Sequence, residues 1–227
     1  DIHLSALKKM GVEINENHGF LECSHNGLCG AEINLSFPSV GATENIMLAA
    51  VKAEGDTEIH NAAREPEIED LAAFLRKMGA KIKGAGSDRI TIRGVKKLSG
   101  CEHGVIPDRI VAATYLCAVA ATRGNALIKN VCPQHLCTVT SILGDAGCSL
   151  NIYEDAISVE CEKLTALPMI RTMPYPGFPT DAQAPFMALS STANGNTLFV
   201  ETIFENRFKH VDELVRMGAK ITTEGRV

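Results

Sequence analysis

Between Pro66 and Met78 the apolar residues Ile68, Leu71, Ala72, Leu75 and Met78 recur at i, i+3, i+4, i+7 and i+10, one stripe of an α-helix. Glu67, Glu69 and Asp70 load its first turns and Arg76 and Lys77 its last, which complements the helix dipole. Pro66 suits the first helical position and Gly79 the C-terminal cap. Upstream, ATENIMLAAVKAEG (42–55) predicts a helix of small apolar residues, followed by a strand at DTEIHNA (56–62). Downstream, AKIKGAG (80–86) and DRITIRG (88–94) predict two short strands around a Gly-rich turn, with Ile90 and Ile92 alternating. A strand at AEINLSF, Ala31 to Phe37, completes the order β-α-β-α-β-β.

The pattern repeats. A helix end recurs as KKMGVEI, RKMGAKI, GDAGCSL and VRMGAKI, with Gly11, Gly79, Gly147 and Gly218 spaced roughly 70 residues apart. AEGDTEIHNA, TRGNALIKNV and ANGNTLFVET keep the same beat around Gly55, Gly124 and Gly195. Asp108 to Arg123 predicts the next apolar helix, NALIKNV a strand, and Leu136, Val139, Thr140, Leu143 and Ala146 the next amphipathic helix. Helices such as IVAATYLCAVAAT have no charged face and are expected to be enclosed by protein, with sheets outside. The expected class is therefore α/β (α+β), built from one repeated unit. Leu4, Leu7 and Met10 continue an amphipathic helix that begins before Asp1, and ITTEGRV stops short of a further strand. The repeat phasing predicts an internal fragment, lacking both ends, of a protein of roughly 400 residues or more.

At 227 residues, 45% hydrophobic and 22% charged, the chain has material for one or two cores. Its net charge of −5 gives no basic field for nucleic acid. The longest uncharged run, Ile110 to Thr122, is too short to span a bilayer, so no membrane association is expected. Eight scattered cysteines without a CxxC pair suit a reduced, cytoplasmic protein. Cys132, His135 and Cys137 match no zinc spacing, and neither metal nor cofactor is expected.

Four segments carry candidate chemistry. SVGATENIM, Ser39 to Met47, opens a helix whose first N–H groups suit an anion, with Ser39 as an extra donor; Ser39 or Thr43 equally suits a helix cap. Arg64, Glu65 and Glu67 stand at another helix start, where charge complements the dipole. In PYPGFPTDAQAPF, Pro174 to Phe186, three prolines and a glycine stiffen the approach to Asp181, a candidate general base or an N-cap. Asp108 holds the similar place one repeat earlier. In ETIFENRF, Phe204 is suited to stack on a ring and Arg207 to hold an anion, or to serve as core and surface residues.

Together SVGATENIM, NAAREPEIEDLAAFL, PDRI, FPTDAQA and ETIFENRF, in this order, resemble the enolpyruvyl transferases, and among them the UDP-N-acetylglucosamine 1-carboxyvinyltransferases. The resemblance implies two similar domains, each of three β-α-β-α-β-β units around buried helices, in an inside-out α/β barrel with the active site in the cleft between domains. Residues 1–105 would be the latter part of the first domain and 106–227 the first part of the second. The implied reaction transfers enolpyruvyl from phosphoenolpyruvate to the 3-hydroxyl of UDP-N-acetylglucosamine and releases phosphate, the first committed step of peptidoglycan synthesis.

By the same resemblance, Asp1, Ile2 and His3 fall on or beside the tail of a uridine-contacting segment. Ser39, Val40 and Gly41 match the loop that holds the diphosphate. Asp181 matches the aspartate that binds the sugar hydroxyl as general base. Ile203 and Phe204 match residues lining the sugar-nucleotide site, and Arg207 an arginine near the reacting centre. At Phe37 some relatives carry a lysine near the diphosphate, a contact this chain lacks. The family's mobile-loop cysteine and its phosphoenolpyruvate-contacting Lys and Arg match none of these residues, so the fragment alone is expected to be inactive. The expected partners are the two substrates, with the protein a monomer. The shikimate enolpyruvyl transferase and a noncatalytic repeat module are the competing readings; an RNA-processing cyclase is disfavoured by the lack of basic stripes.

Overall fold

The computed structural model describes residues 2–227, which divide into two compact units, the first ending at Val105 and the second running Ile106–Val227. In the first unit, helix α1 (Ile2–Lys9) leads into a hairpin of β1 (Glu13–Asn17) and β2 (Phe20–Ser24). Then come β3 (Glu32–Asn34), α2 (Val40–Ala50), β4 (Asp56–His60), α3 (Pro66–Lys77), β5 (Lys81–Lys83) and β6 (Arg89–Arg93), the predicted β-α-β-α-β-β order. The sheet runs β3-β4-β6-β5, with β3 parallel to β4 and the other pairs antiparallel. Its register lines Ile33, Ile59 and Ile90 across three strands and pairs Ile82 with Ile92. All five are buried, together with Ile46 and Met47 of α2 and Ile68 of α3. Fully burying one such side chain stabilises by about 1.5–3 kcal/mol, so this row fixes the strand register.

The second unit repeats the scheme. Helix α4 (Arg109–Ala121) precedes β7 (Asn125–Lys129), a 3₁₀ turn (Pro133–Leu136), α5 (Cys137–Asp145), β8 (Ser149–Ile152) and β9 (Ala156–Glu160), paired as β7-β9-β8. A further copy follows: β10 (Met169–Arg171), a 3₁₀ turn (Thr180–Ala182), α6 (Gln183–Ser190), β11 (Leu198–Val200) and α7 (Val211–Arg216). Strands β10 and β11 pair in parallel, as β3 and β4 do. The core gathers Leu116, Leu136, Leu143, Ile157 and Val159, and Phe178 meets Phe186 edge-on with centroids 4.9 Å apart. Gly11, Gly79, Gly147 and Gly218 follow α1, α3, α5 and α7 and all have φ between +91° and +105°. Only glycine enters that region without strain, which is why the repeat punctuates itself there.

Several boundaries differ from the periodicity. The strand expected from Ala31 to Phe37 is paired only over Glu32–Asn34. Asn61 turns the chain at φ +56° and its side-chain amide takes the Leu35 carbonyl, which ends the pairing. Asp108 lies outside the helix expected to begin there, because its carboxylate caps it through the Ile110 and Val111 N–H groups. The apolar helices are enclosed on one face and open on the other within their own units: Leu48 and Val111 are each 50% exposed and Tyr115 60%. Among the described residues no helix is long and apolar enough to cross a membrane.

Candidate functional site

In the first unit the residues expected to hold a nucleotide come together at the start of α2. Ser39 is the N-cap: its Oγ accepts the Ala42 N–H at 3.3 Å and its carbonyl the Thr43 N–H at 3.0 Å. The N–H groups of Val40 and Gly41 lie ahead of the first intrahelical bond and have no acceptor among the described residues. Buried Thr43 locks this turn: its hydroxyl donates to the Ser39 carbonyl at 2.8 Å and accepts the Ala63 N–H at 3.1 Å. His3, from α1, lies against the same turn. A Cβ on Gly41 would stand 3.2 Å from His3 Cε1, and Nδ1 of the ring is 2.7 Å from the Asn45 amide. A side chain at 41 would crowd the imidazole, which would have to give way slightly. Ile2 is half-buried beside His3, and Asp1 lies outside the described residues.

The surroundings of this turn are acidic. Burial raises the Glu44 carboxyl above its usual value, and Glu67 and then Glu65 push the same way. Arg64 spends its charge on Asp88, 3.7 Å away, and Glu67 and Glu69 sit in the first turn of α3 as the dipole favours. Phe37 is half-buried and leaves this turn without a lysine.

In the second unit Asp181, Ile203, Phe204 and Arg207 are brought together. The Pro-rich loop, with a cis Tyr175–Pro176 bond, is anchored by buried Phe178 and by the Thr138 hydroxyl, which donates to the Pro176 carbonyl at 2.6 Å. It delivers Asp181 into the 3₁₀ turn before α6, where the aspartate makes no capping bond. Its carboxylate accepts instead from Arg207, whose guanidinium lies 4.9 Å from the centre of the Phe204 ring. Asp181 and Phe204 are exposed and Ile203 half-buried. Burial lowers the neighbouring His210 imidazole below its usual value, aided by the Arg207 charge and opposed by a hydrogen bond to the Arg207 backbone.

Sequence reasoning passed over Glu201, which is 2% exposed under this group. Its Oε1 accepts from the Thr172 hydroxyl at 3.0 Å and from the Ile203 and Phe204 N–H groups at 2.7 and 3.0 Å. Its Oε2 accepts from the Thr180 hydroxyl at 2.9 Å and the Gln183 amide at 2.6 Å. A signal was present: six residues after Gly55, Gly124 and Gly195 stand Asn61, Asn130 and Glu201, and both asparagines have positive φ.

The remaining candidates carry no site. All eight cysteines are free, and burial first of all pushes the Cys117 and Cys148 thiols up to about 12, well away from reactive thiolates. Among the described residues no three His, Cys, Asp or Glu side chains gather as a metal would require. In the Cys132–Cys137 segment the Cys137 thiol instead faces the Pro133 and Gln134 carbonyls.

The family model for EPSP synthase (3-phosphoshikimate 1-carboxyvinyltransferase) matches residues 1–226. UDP-N-acetylglucosamine 1-carboxyvinyltransferase 2 of Caldanaerobacter subterraneus subsp. tengcongensis is 54% identical over 228 residues, covering 100% of this chain and 55% of the relative. UDP-N-acetylglucosamine 1-carboxyvinyltransferase 1 of Symbiobacterium thermophilum is 54% identical over 227 residues, covering 100% and 52%. Among solved structures, the enolpyruvyl transferase NikO from Streptomyces tendae superposes with a TM-score of 0.87 at 22% identity, over 100% of this chain and 57% of that one. EPSP synthase from Acinetobacter baumannii gives 0.65 at 21% identity, over 96% and 52%. The chain spans about half the length of the curated relatives it matches. With the family model covering nearly every residue and the repeated α/β units superposing on an enolpyruvyl transferase, the chain belongs to the EPSP synthase family of enolpyruvyl transferases.

Proposed function

We propose that the protein transfers the enolpyruvyl group of phosphoenolpyruvate to the 3-hydroxyl of UDP-N-acetylglucosamine and releases phosphate. The names of relatives 54% identical across the whole chain support this choice of acceptor over 3-phosphoshikimate. The observation that carries it at the site is the state of Asp181. The three repeat-equivalent helix starts hold Ser39, Asp108 and Asp181; the first two spend a side-chain oxygen on capping, and Asp181 does not.

In this reading the first unit holds the nucleotide. The Val40 and Gly41 N–H groups and the Ser39 hydroxyl take the diphosphate, and His3, with Asp1 and Ile2, lies toward the uridine. In the second unit Asp181 takes the proton from the sugar 3-hydroxyl as that oxygen adds to C2 of phosphoenolpyruvate, while C3 gains a proton. Loss of phosphate from C2 and of a proton from C3 then restores the double bond. A positioned carboxylate contributes roughly 10²–10⁴-fold to such a step. The incoming hydroxyl displaces Arg207 from Asp181, which turns the guanidinium toward the developing anion. Ile203 and Phe204 line the sugar.

Residues 1–105 belong in this account to the latter part of one enolpyruvyl transferase domain and 106–227 to the first part of a second. The enzyme acts as a cytoplasmic monomer without metal or cofactor, at the first committed step of peptidoglycan synthesis, and these 227 residues alone do not turn over. The test uses a full-length form in which this chain replaces the matching segment of the Caldanaerobacter relative. Phosphate release that requires UDP-N-acetylglucosamine and is indifferent to shikimate 3-phosphate is the expected result. Release driven by shikimate 3-phosphate would transfer the assignment to the other acceptor.

A further inference from the structure

We infer that Glu201 is the positioning residue of this site: it clamps the loop bearing Asp181 to the loop bearing Phe204 and Arg207 so that the three side chains meet. The inference rests on the reading of Asp181 above and adds a residue that reading does not use.

Both oxygens of the Glu201 carboxylate act only as acceptors, and they divide the work between two segments. Oε2 holds Thr180, immediately before Asp181, and Gln183, which lies beyond Ala182 on its other side. Oε1 holds the Ile203 and Phe204 N–H groups at the start of the loop that leads to Arg207, together with Thr172 just beyond β10. Thr172 and Thr202 are tied to each other as well, through the Thr202 N–H at 2.8 Å and the Thr202 hydroxyl at 2.5 Å. No Lys, Arg or His side chain pairs with Glu201 among the described residues, so the five donors alone compensate its burial. A buried carboxylate satisfied by several segments at once is costly to disturb and holds those segments in one arrangement.

The alternative is that the cluster merely stabilises the unit. The location argues against that. At the same point of the repeat Asn61 and Asn130 turn the chain in the left-handed region, and the apolar helices of their copies, α2 and α4, start with a side-chain cap. The carboxylate occurs only in the copy whose aspartate is left uncapped. A displacement near 1 Å of a catalytic group costs on the order of 10²-fold in rate, so a clamp here acts on turnover.

Glu201→Asp keeps the carboxylate and shortens its reach by one methylene. In the 227-residue chain it should speed amide hydrogen exchange at Ile203 and Phe204 at least about tenfold while β7 and β9 of the same unit stay protected. In the full-length form it should lower kcat by about 10²-fold. In an Asp181→Asn background the same change should cost less than about threefold, because residues that act as a unit are not additive. Thr180→Val removes one donor from the clamp and should show the same non-additivity at smaller amplitude, which carries the test if Glu201→Asp does not fold. Unchanged exchange at Ile203 and Phe204, or an equal cost in both backgrounds, overturns the inference. Near-normal turnover of Asp181→Asn alone would instead remove the reading of Asp181, leaving the clamp to be decided by exchange.

Discussion

Arg207 donates to the Asp181 carboxylate across 26 positions of sequence while lying over the Phe204 ring. The pair is solvent-exposed, with side-chain accessibilities of 35% and 56%. Exposed pairs contribute about 0–1 kcal/mol to stability, so folding gives little reason for it. Arg207→Met should therefore leave the thermal midpoint nearly unchanged and lower kcat of the full-length form by at least about tenfold. A large drop in thermal midpoint with normal turnover would make the contact structural.

Ser39 caps α2, and the proposal gives it a second task with the diphosphate. Ser39→Asp separates the two, because aspartate caps as well as serine does but repels an anion. Stability should stay within about 1 kcal/mol of the parent, whereas Ser39→Ala should lose about that much. Affinity of the full-length form for UDP-N-acetylglucosamine, measured by calorimetry, should fall at least about tenfold in Ser39→Asp. Unaltered affinity would mean that this turn does not hold the diphosphate.

The repeat, its β-α-β-α-β-β order and the capping glycines were legible because period and punctuation are local properties of the chain. Ser39 as a cap followed from the same local chemistry. The grouping of Asp181 with Arg207 was not, since nothing near either residue names the other, and only the resemblance placed both at one site. Glu201 escaped for a further reason. Its burial depends on Thr172, Thr180, Gln183 and the 203–204 backbone arriving from separate segments, and a glutamate after a strand looks solvated until they do. The apolar helices were legible from their lack of charge; within a unit one face of each is packed, and Leu48, Val111 and Tyr115 mark the other.

Glu44 gives a pH-dependent prediction. Its carboxyl is held above the usual 4.5, first by burial and then by Glu67 and Glu65. A carboxyl raised in the folded state favours folding below its unfolded value, and that contribution is lost as pH rises through the folded value. Ionised Glu44 therefore opposes folding at neutral pH. Glu44→Gln should raise the thermal midpoint at pH 7, and the gain should fade as pH drops below the ordinary carboxylate range. A gain of equal size at both pH values, or a loss at pH 7, would show that Glu44 carries no such penalty.

The proposed reaction depends most directly on the proton that Asp181 is to accept. Steady-state kinetics of Asp181→Asn in the full-length form, with affinity for UDP-N-acetylglucosamine measured alongside, should show kcat lowered by about 10²–10⁴-fold and affinity reduced far less. Turnover within a few-fold of the parent would contradict it, because a carboxylate that can be neutralised without loss takes no proton in the reaction.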